Sequence, residues 1–216
     1  MKTAIIIGST GLVGSKLLNL AAADSSFEKI YSISRTRPEN LPGKVEFIDF
    51  NYGNYRVPAR VDFAFCCLGT TMKKAGSKEA FLKVDLEMVG DFAQKCKTAG
   101  IERMAVVSSI GANAKSSNFY LQTKGRMEEQ MKKYGFKRLV IVRPSLLLGE
   151  RNEKRTGEDF GKIFNSLLGF LMVGPMRKYR GIDAEKVARA MINLIGEGKG
   201  NTLAESDELE KIASGI

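Results

Sequence analysis

Short, nearly continuous apolar runs alternate with longer stretches in which apolar residues return at every third or fourth position. The runs are Ala4 to Ile7, Ile30 to Ile33, Val45 to Ile48, Phe63 to Leu68, Met104 to Val107 and Leu139 to Val142. A strand with one face in water would alternate apolar and polar residues. Runs without alternation suit parallel strands covered on both faces. Helical patterns lie between them: Leu12 to Ala23, Lys78 to Ala99 after a cap at Ser77, and the charged, amphipathic Tyr120 to Tyr134. Strands alternating with helices require right-handed crossovers and predict an α/β fold, a doubly wound, mostly parallel sheet with helices on both faces.

Past Arg143-Pro144 the regularity fades. Thr156 is expected to cap a helix through Phe160, Ile163, Phe164, Leu167 and Leu168. A second helix is expected from Asp183 to Ile195, and a short one closes the chain. There is no internal repeat. The 216 residues suit one domain with a substantial core. Residues 145–216 then form a small cap on the substrate side of that domain.

Composition narrows the chemistry. The chain contains no histidine, which removes Ser-His-Asp hydrolysis, His-ligated zinc and His acid/base catalysis. Adjacent Cys66 and Cys67 with distant Cys96 offer neither metal-ligand spacing nor a disulfide framework. No apolar run approaches the roughly twenty residues of a membrane span. The N-terminal apolar stretch reads as a buried strand rather than a signal peptide. A reduced, cytoplasmic protein is the expectation. The formal charge of +10 favours anions, a phosphorylated cofactor among them. The basic residues Lys73-Lys74, Lys132-Lys133 and Arg151 to Arg155 are scattered and lack an aromatic stacking platform, so nucleic acid is not expected as a partner.

Gly8-Ser9-Thr10-Gly11-Leu12-Val13-Gly14 falls where the first strand meets the first helix. Such glycines allow a tight turn, close approach of backbone to a pyrophosphate, and close packing of helix on strand. The helix N-terminus then turns its amides toward the phosphate charge. The second strand closes as Ser34-Arg35-Thr36-Arg37, without the carboxylate that would bind the ribose hydroxyls of NAD. Ser34 as a hydrogen-bond donor and Arg35 as a guanidinium fork favour a 2′-phosphate, and NADP(H) over NAD. Further strand ends at the same edge are expected to line the cofactor: Asp49-Phe50 and Leu68-Gly69-Thr70-Thr71.

Tyr120 and Lys124 stand four apart and share a helix face. A free phenol ionises near pH 10. An adjacent ammonium stabilises its phenolate, so the pair can pass a proton to or from a carbonyl oxygen. Lys124 would also hold the nicotinamide ribose. A serine hydroxyl at the end of the fifth strand would orient the carbonyl. Ser109 is favoured for this, and Ser108 is the alternative.

These residues resemble the short-chain dehydrogenase/reductase superfamily, in its atypical branch. The likeness runs from Gly8 to about Ile195 through the glycine turn, Cys67-Leu-Gly-Thr-Thr71, Val84-Asp85, Ser108-Ser109-Ile-Gly-Ala112, Tyr120-Leu-Gln-Thr-Lys124-Gly and Arg143-Pro-Ser-Leu-Leu-Leu. It is most similar to the Tat-interacting oxidoreductase group and its bacterial relatives. The resemblance implies NADPH binding, a catalytic triad of Ser109, Tyr120 and Lys124, and a turn at Arg143-Pro144-Ser145 beside the nicotinamide amide. Many superfamily members carry an asparagine where this chain has Asp85, which either replaces their proton relay or pairs with a lysine. Nucleotide-sugar epimerases of the superfamily have a larger C-terminal part and an acid at the second strand. Neither is present, so epimerisation is not expected.

The reading is a hydride-transfer enzyme acting on a small carbonyl or alcohol. A cofactor-sensing regulator acting through protein contacts is the alternative. Leu147, Leu148, Phe160, Phe164 and Phe170 suggest an apolar substrate, while Arg151 and Arg155 would accept an acidic group. The apolar stretch from Phe160 to Val173 reads as a roof over the pocket or as the contact of a homo-oligomer.

Overall fold

The computed structural model describes residues 1–38, 41–149 and 179–215. Six parallel strands come first: β1 (Lys2–Ile7), β2 (Phe27–Ser34), β3 (Val45–Asp49), β4 (Phe63–Cys66), β5 (Arg103–Val107) and β6 (Arg138–Arg143). The short β7 (Leu147–Leu148) and β8 (Ile182–Asp183) pair with each other, and β9 (Gly200–Glu205) returns to the main sheet. The order across that sheet is β3-β2-β1-β4-β5-β6-β9, all parallel. The doubly wound α/β expectation holds.

Helices cover both faces. They are α1 (Leu12–Ala23), α2 (Met72–Ala75), α3 (Lys78–Leu82), α4 (Val89–Thr98), α5 (Phe119–Lys133), α6 (Ala184–Gly196) and α7 (Ser206–Ser214). In β1, Ala4 and Ile6 face Leu17 and Ala21 of α1 and Val187 and Met191 of α6. Ile5 and Ile7 face Phe92 and Cys96 of α4 and Met127 and Met131 of α5. Side chains alternate between faces at period two, yet both faces are dry, which explains the unbroken apolar runs. Each buried isoleucine stabilises the fold by roughly 1.5–3 kcal/mol.

The expected helix from Lys78 to Ala99 is one rod in three parts. Ser77 caps it, accepting Ala80 N–H at 3.1 Å. A π-helical segment, Lys83–Met88, then separates α3 from α4. Asn118 caps α5 by accepting Leu121 N–H at 3.1 Å. The described part of the segment assigned to a cap is built into the main layers: β9 pairs along the whole of β6, and α6 packs in the same core as α1. The helix expected from Thr156 lies outside the described residues, as do Arg151, Arg155, Phe160, Phe164, Phe170 and the stretch to Val173. No helix of the described residues is long and apolar enough to cross a membrane.

Candidate active site

Register brings the candidate residues to one edge. Ile7 lies beside Ile33 and Cys66, Cys66 beside Val106, and Val106 beside Ile141. The glycine turn, Ser34-Arg35, Leu68 to Thr71, Ser108-Ser109 and Arg143 to Ser145 therefore all leave the sheet at its carboxyl edge, where ligands of open α/β sheets bind. A separate open groove of about 500 Å³, lined by Lys29, Arg37 and Lys44 among others, lies along the β2–β3 edge and includes neither Tyr120 nor Lys124.

The glycine turn has the geometry of an anion cradle. Gly8 has φ of +81°, and a Cβ there would stand 2.7 Å from the Cys67 backbone. A Cβ on Gly14 would stand 2.1 Å from Gly8 O, so α1 can meet β1 this closely only through glycine. Gly11, at the N-cap of α1, supplies no capping side chain, and the first turn contains no acid. Exposed Thr10 and Gly11 and half-buried Leu12 leave that helix end open to a phosphate.

Several residues expected to touch a cofactor turn their side chains elsewhere. Ser9 is buried and shares a 2.7 Å hydrogen bond with Ser32, and Val13 packs in the core, so both can offer only backbone. Ser34 is buried and donates to Thr36 O at 2.8 Å, closing its own loop. Phe50 lies in the core against Tyr55, with ring centroids 5.5 Å apart. Asp49 is exposed and accepts Asn51 N–H at 3.2 Å. Arg35, Gly69 and Thr71 are exposed, and Leu68 and Thr70 are half-buried.

At the chemical end, Tyr120 is half-buried with its ring against Phe81, centroids 5.6 Å apart. Lys124, a turn further along α5, is buried and lies 2.7 Å from Asp85 Oδ1. Burial alone would push the Lys124 ammonium down, but Asp85 and Tyr120 outweigh it and hold the group above the ordinary lysine value. Asp85 stands on the π-helical segment, and its Oδ2 accepts Thr70 N–H at 2.8 Å. Of the two roles left open for Asp85, the lysine pairing is present, and the lysine is the one in the Tyr-x-x-x-Lys motif.

The two serines part company. Ser108 is buried and donates to Glu128 Oε1 at 2.5 Å. Glu128 in turn holds Arg143 through bonds of 2.8 and 2.6 Å, and Arg143 also donates to Ala112 O at 2.9 Å. The Arg143 side chain is thus committed to joining β6, α5 and the serine loop rather than to a cofactor. Pro144 is buried and accepts Ile110 N–H at 3.0 Å, while Ser145 donates to Arg180 O and receives no freedom to reach outward. Ser109 is half-buried, and among the described residues its hydroxyl makes only a long 3.4 Å contact with Ile110 O. Glu128 was not picked out from sequence, although it follows Lys124 by four residues on the face of Tyr120. Gly125, the glycine that follows Lys124 in the motif, has a packing role that the motif does not state: a Cβ there would stand 2.0 Å from Ala114 N, so glycine lets the serine loop rest on α5.

No family model matches the chain. Protein HTATIP2 of Rattus norvegicus is 36% identical over 208 residues, 92% of this chain and 84% of that protein. The FMP52 protein of Debaryomyces hansenii is 36% identical over 205 residues, 90% and 88% of the two chains. Among solved structures, MoeE5 in complex with UDP-glucose and NAD has a TM-score of 0.69 at 14% identity, covering 99% of this chain and 81% of that one. The PhqB reductase domain of Penicillium fellutanum has a TM-score of 0.63 at 15% identity, covering 94% and 66%. These structural likenesses establish the fold.

The expectation of a cytoplasmic protein is corrected, because the FMP52 relatives are named as mitochondrial proteins. Cysteine usage reads redox state and not compartment. Cys66 is free, and burial pushes its thiol up to about 12, so it stays a thiol in any reducing surroundings. With identity above 30% along most of its length, and with the glycine turn and Tyr120-Lys124 brought to one sheet edge, the chain belongs to the atypical short-chain dehydrogenase/reductase family of HTATIP2 and FMP52.

Proposed function

We propose that the protein is an NADP(H)-dependent oxidoreductase that transfers hydride between NADPH and a carbonyl or alcohol substrate. The observation that carries this reading is the placement of Tyr120 and buried Lys124 at the sheet edge that also holds the open glycine turn. MoeE5, which shares the fold, was solved with NAD, and this supports a nicotinamide dinucleotide here. The turn of Gly8, Gly11 and Gly14 suits a pyrophosphate, because glycine at 8 and 14 lets the turn and α1 pack closely against the backbone beneath them while Thr10 and Gly11 stay exposed at the helix N-terminus. Arg35 would meet the 2′-phosphate; Ser34, spent on Thr36, leaves that task to the guanidinium. Gly69, Thr70 and Thr71 would border the ribose.

When bound, the cofactor supplies or accepts the hydride. Ser109, whose hydroxyl makes only a 3.4 Å contact with Ile110 O among the described residues, would orient the substrate oxygen. Tyr120 would give that oxygen its proton during reduction and remove it during oxidation. Lys124 would hold the ribose and stabilise the phenolate left after proton transfer. Ser108, Glu128 and Arg143 would keep the Ser109 loop in place.

The test is NADPH oxidation with a panel of aldehydes, ketones and quinones. Turnover that requires NADPH is expected, with NADH bound more weakly. NADPH binding without turnover of any panel member would favour the cofactor-sensing regulator instead.

A further inference from the structure

We propose that Asp85 is a positioning residue that keeps buried Lys124 charged and ties it to the Gly69–Thr70 loop. The proposal rests on the reading of Lys124 as part of the active site. The carboxylate is fully buried and serves two partners on two oxygens: Oδ1 stands 2.7 Å from Lys124 Nζ, and Oδ2 accepts Thr70 N–H at 2.8 Å. Three stretches distant in sequence meet there: the loop after β4, the π-helical segment and α5. Asp85 stands within that segment, whose i→i+5 bonding departs from the α-helical pattern of α3 before it and α4 after it.

The meeting point lies directly beneath the loop proposed to border the cofactor. A Cβ added to exposed Gly69 would stand 3.5 Å from Asp85 Oδ1 and 3.7 Å from Lys124 Nζ. Among the described residues, the groups that act on Lys124 are Asp85 from the π-helical segment, Tyr120 from its own helix and Cys66 from β4. Cys66 is held as a neutral thiol by burial. Asp85 is therefore the carboxylate that offsets the cost of burying an ammonium, a cost that would otherwise drive the lysine toward its neutral form.

Asp85→Asn separates charge from shape, because the amide oxygen can still accept the Thr70 N–H. The readout is nitrogen NMR titration of the Lys124 side chain, assigned by its loss in Lys124→Met. In Asp85→Asn the signal is expected to titrate at least about one pH unit lower than in the natural protein. A role limited to holding the loop would leave it unmoved, and an unchanged titration in folded Asp85→Asn would overturn the proposal. Should that variant not fold, the same Lys124 titration in Asp85→Ser decides. A fall of at least about one pH unit is again expected, and an unchanged titration would overturn the proposal equally. Neither measurement needs a substrate, so an inactive protein would count against the proposed oxidoreductase and leave this test able to decide.

Discussion

Tyr120→Phe removes one oxygen and leaves the ring against Phe81. The variant is expected to fold and bind NADPH normally, while carbonyl-dependent turnover falls about 10²–10⁴-fold, the usual weight of a positioned proton donor. Arg35→Ala is expected to weaken NADPH binding roughly tenfold or more, the value of a charge-assisted hydrogen bond, with NADH binding unchanged; calorimetric titration checks both. At this scale sequence located strand ends better than it located side chains. It left Ser108 and Ser109 as alternatives, because nothing in Val-Ser-Ser-Ile says which hydroxyl is buried; the structure buries Ser108 and leaves Ser109 half-buried. Ser9, Ser34 and Phe50 sit at the expected loops, but each turns to a partner inside the protein: Ser32, Thr36 and Tyr55. Those partners are distant in sequence or lie within the same turn, and no local pattern announces them.

The elements themselves were legible where burial is symmetrical. Strands β1, β4, β5 and β6 carry apolar runs because helices dry both of their faces, and the edge strand β3, Val-Glu-Phe-Ile-Asp, was legible from Val45, Phe47 and Ile48 although only Val45 is fully buried. The strand β9, Gly-Asn-Thr-Leu-Ala-Glu, escaped notice because it is an edge strand with most of its side chains partly or fully in water. The π-helical segment also left no trace, since one wider turn changes neither composition nor apolar spacing. Helix α5 offers two tests. Asn118→Ala deletes its cap and is expected to cost about 0.5–2 kcal/mol in chemical denaturation. Gly125→Ala would force a methyl into the Asn113–Ala114 backbone, at 2.0–2.7 Å, and something must move. The expected outcome is a loss of about 1–3 kcal/mol together with reduced turnover, because the displaced segment is continuous with the Ser109 loop. Stability lost with turnover intact would mean that the loop's seat on α5 does not govern the site.

For the whole molecule, the buried Asp85–Lys124 pair predicts a pH dependence. Lys124 is held above the ordinary lysine value of 10.5 in the folded chain. Its contribution is therefore fully present below that pH and is lost as pH rises through the folded-state value. Denaturation midpoints should fall more steeply above pH 10.5 in the natural protein than in Asp85→Asn. Fold and family together account for why this edge of the sheet gathers the glycine turn, Ser109, Tyr120 and Lys124, but hydride transfer is the claim on which the rest depends. The most direct measurement is to supply NADPH carrying deuterium at the transferable position of the nicotinamide and to analyse the alcohol formed from a reactive carbonyl by mass spectrometry. Deuterium on the carbinol carbon with the natural protein, and its absence with Tyr120→Phe, is the predicted result. Alcohol formed without the label, or labelled equally by the phenylalanine variant, would contradict it.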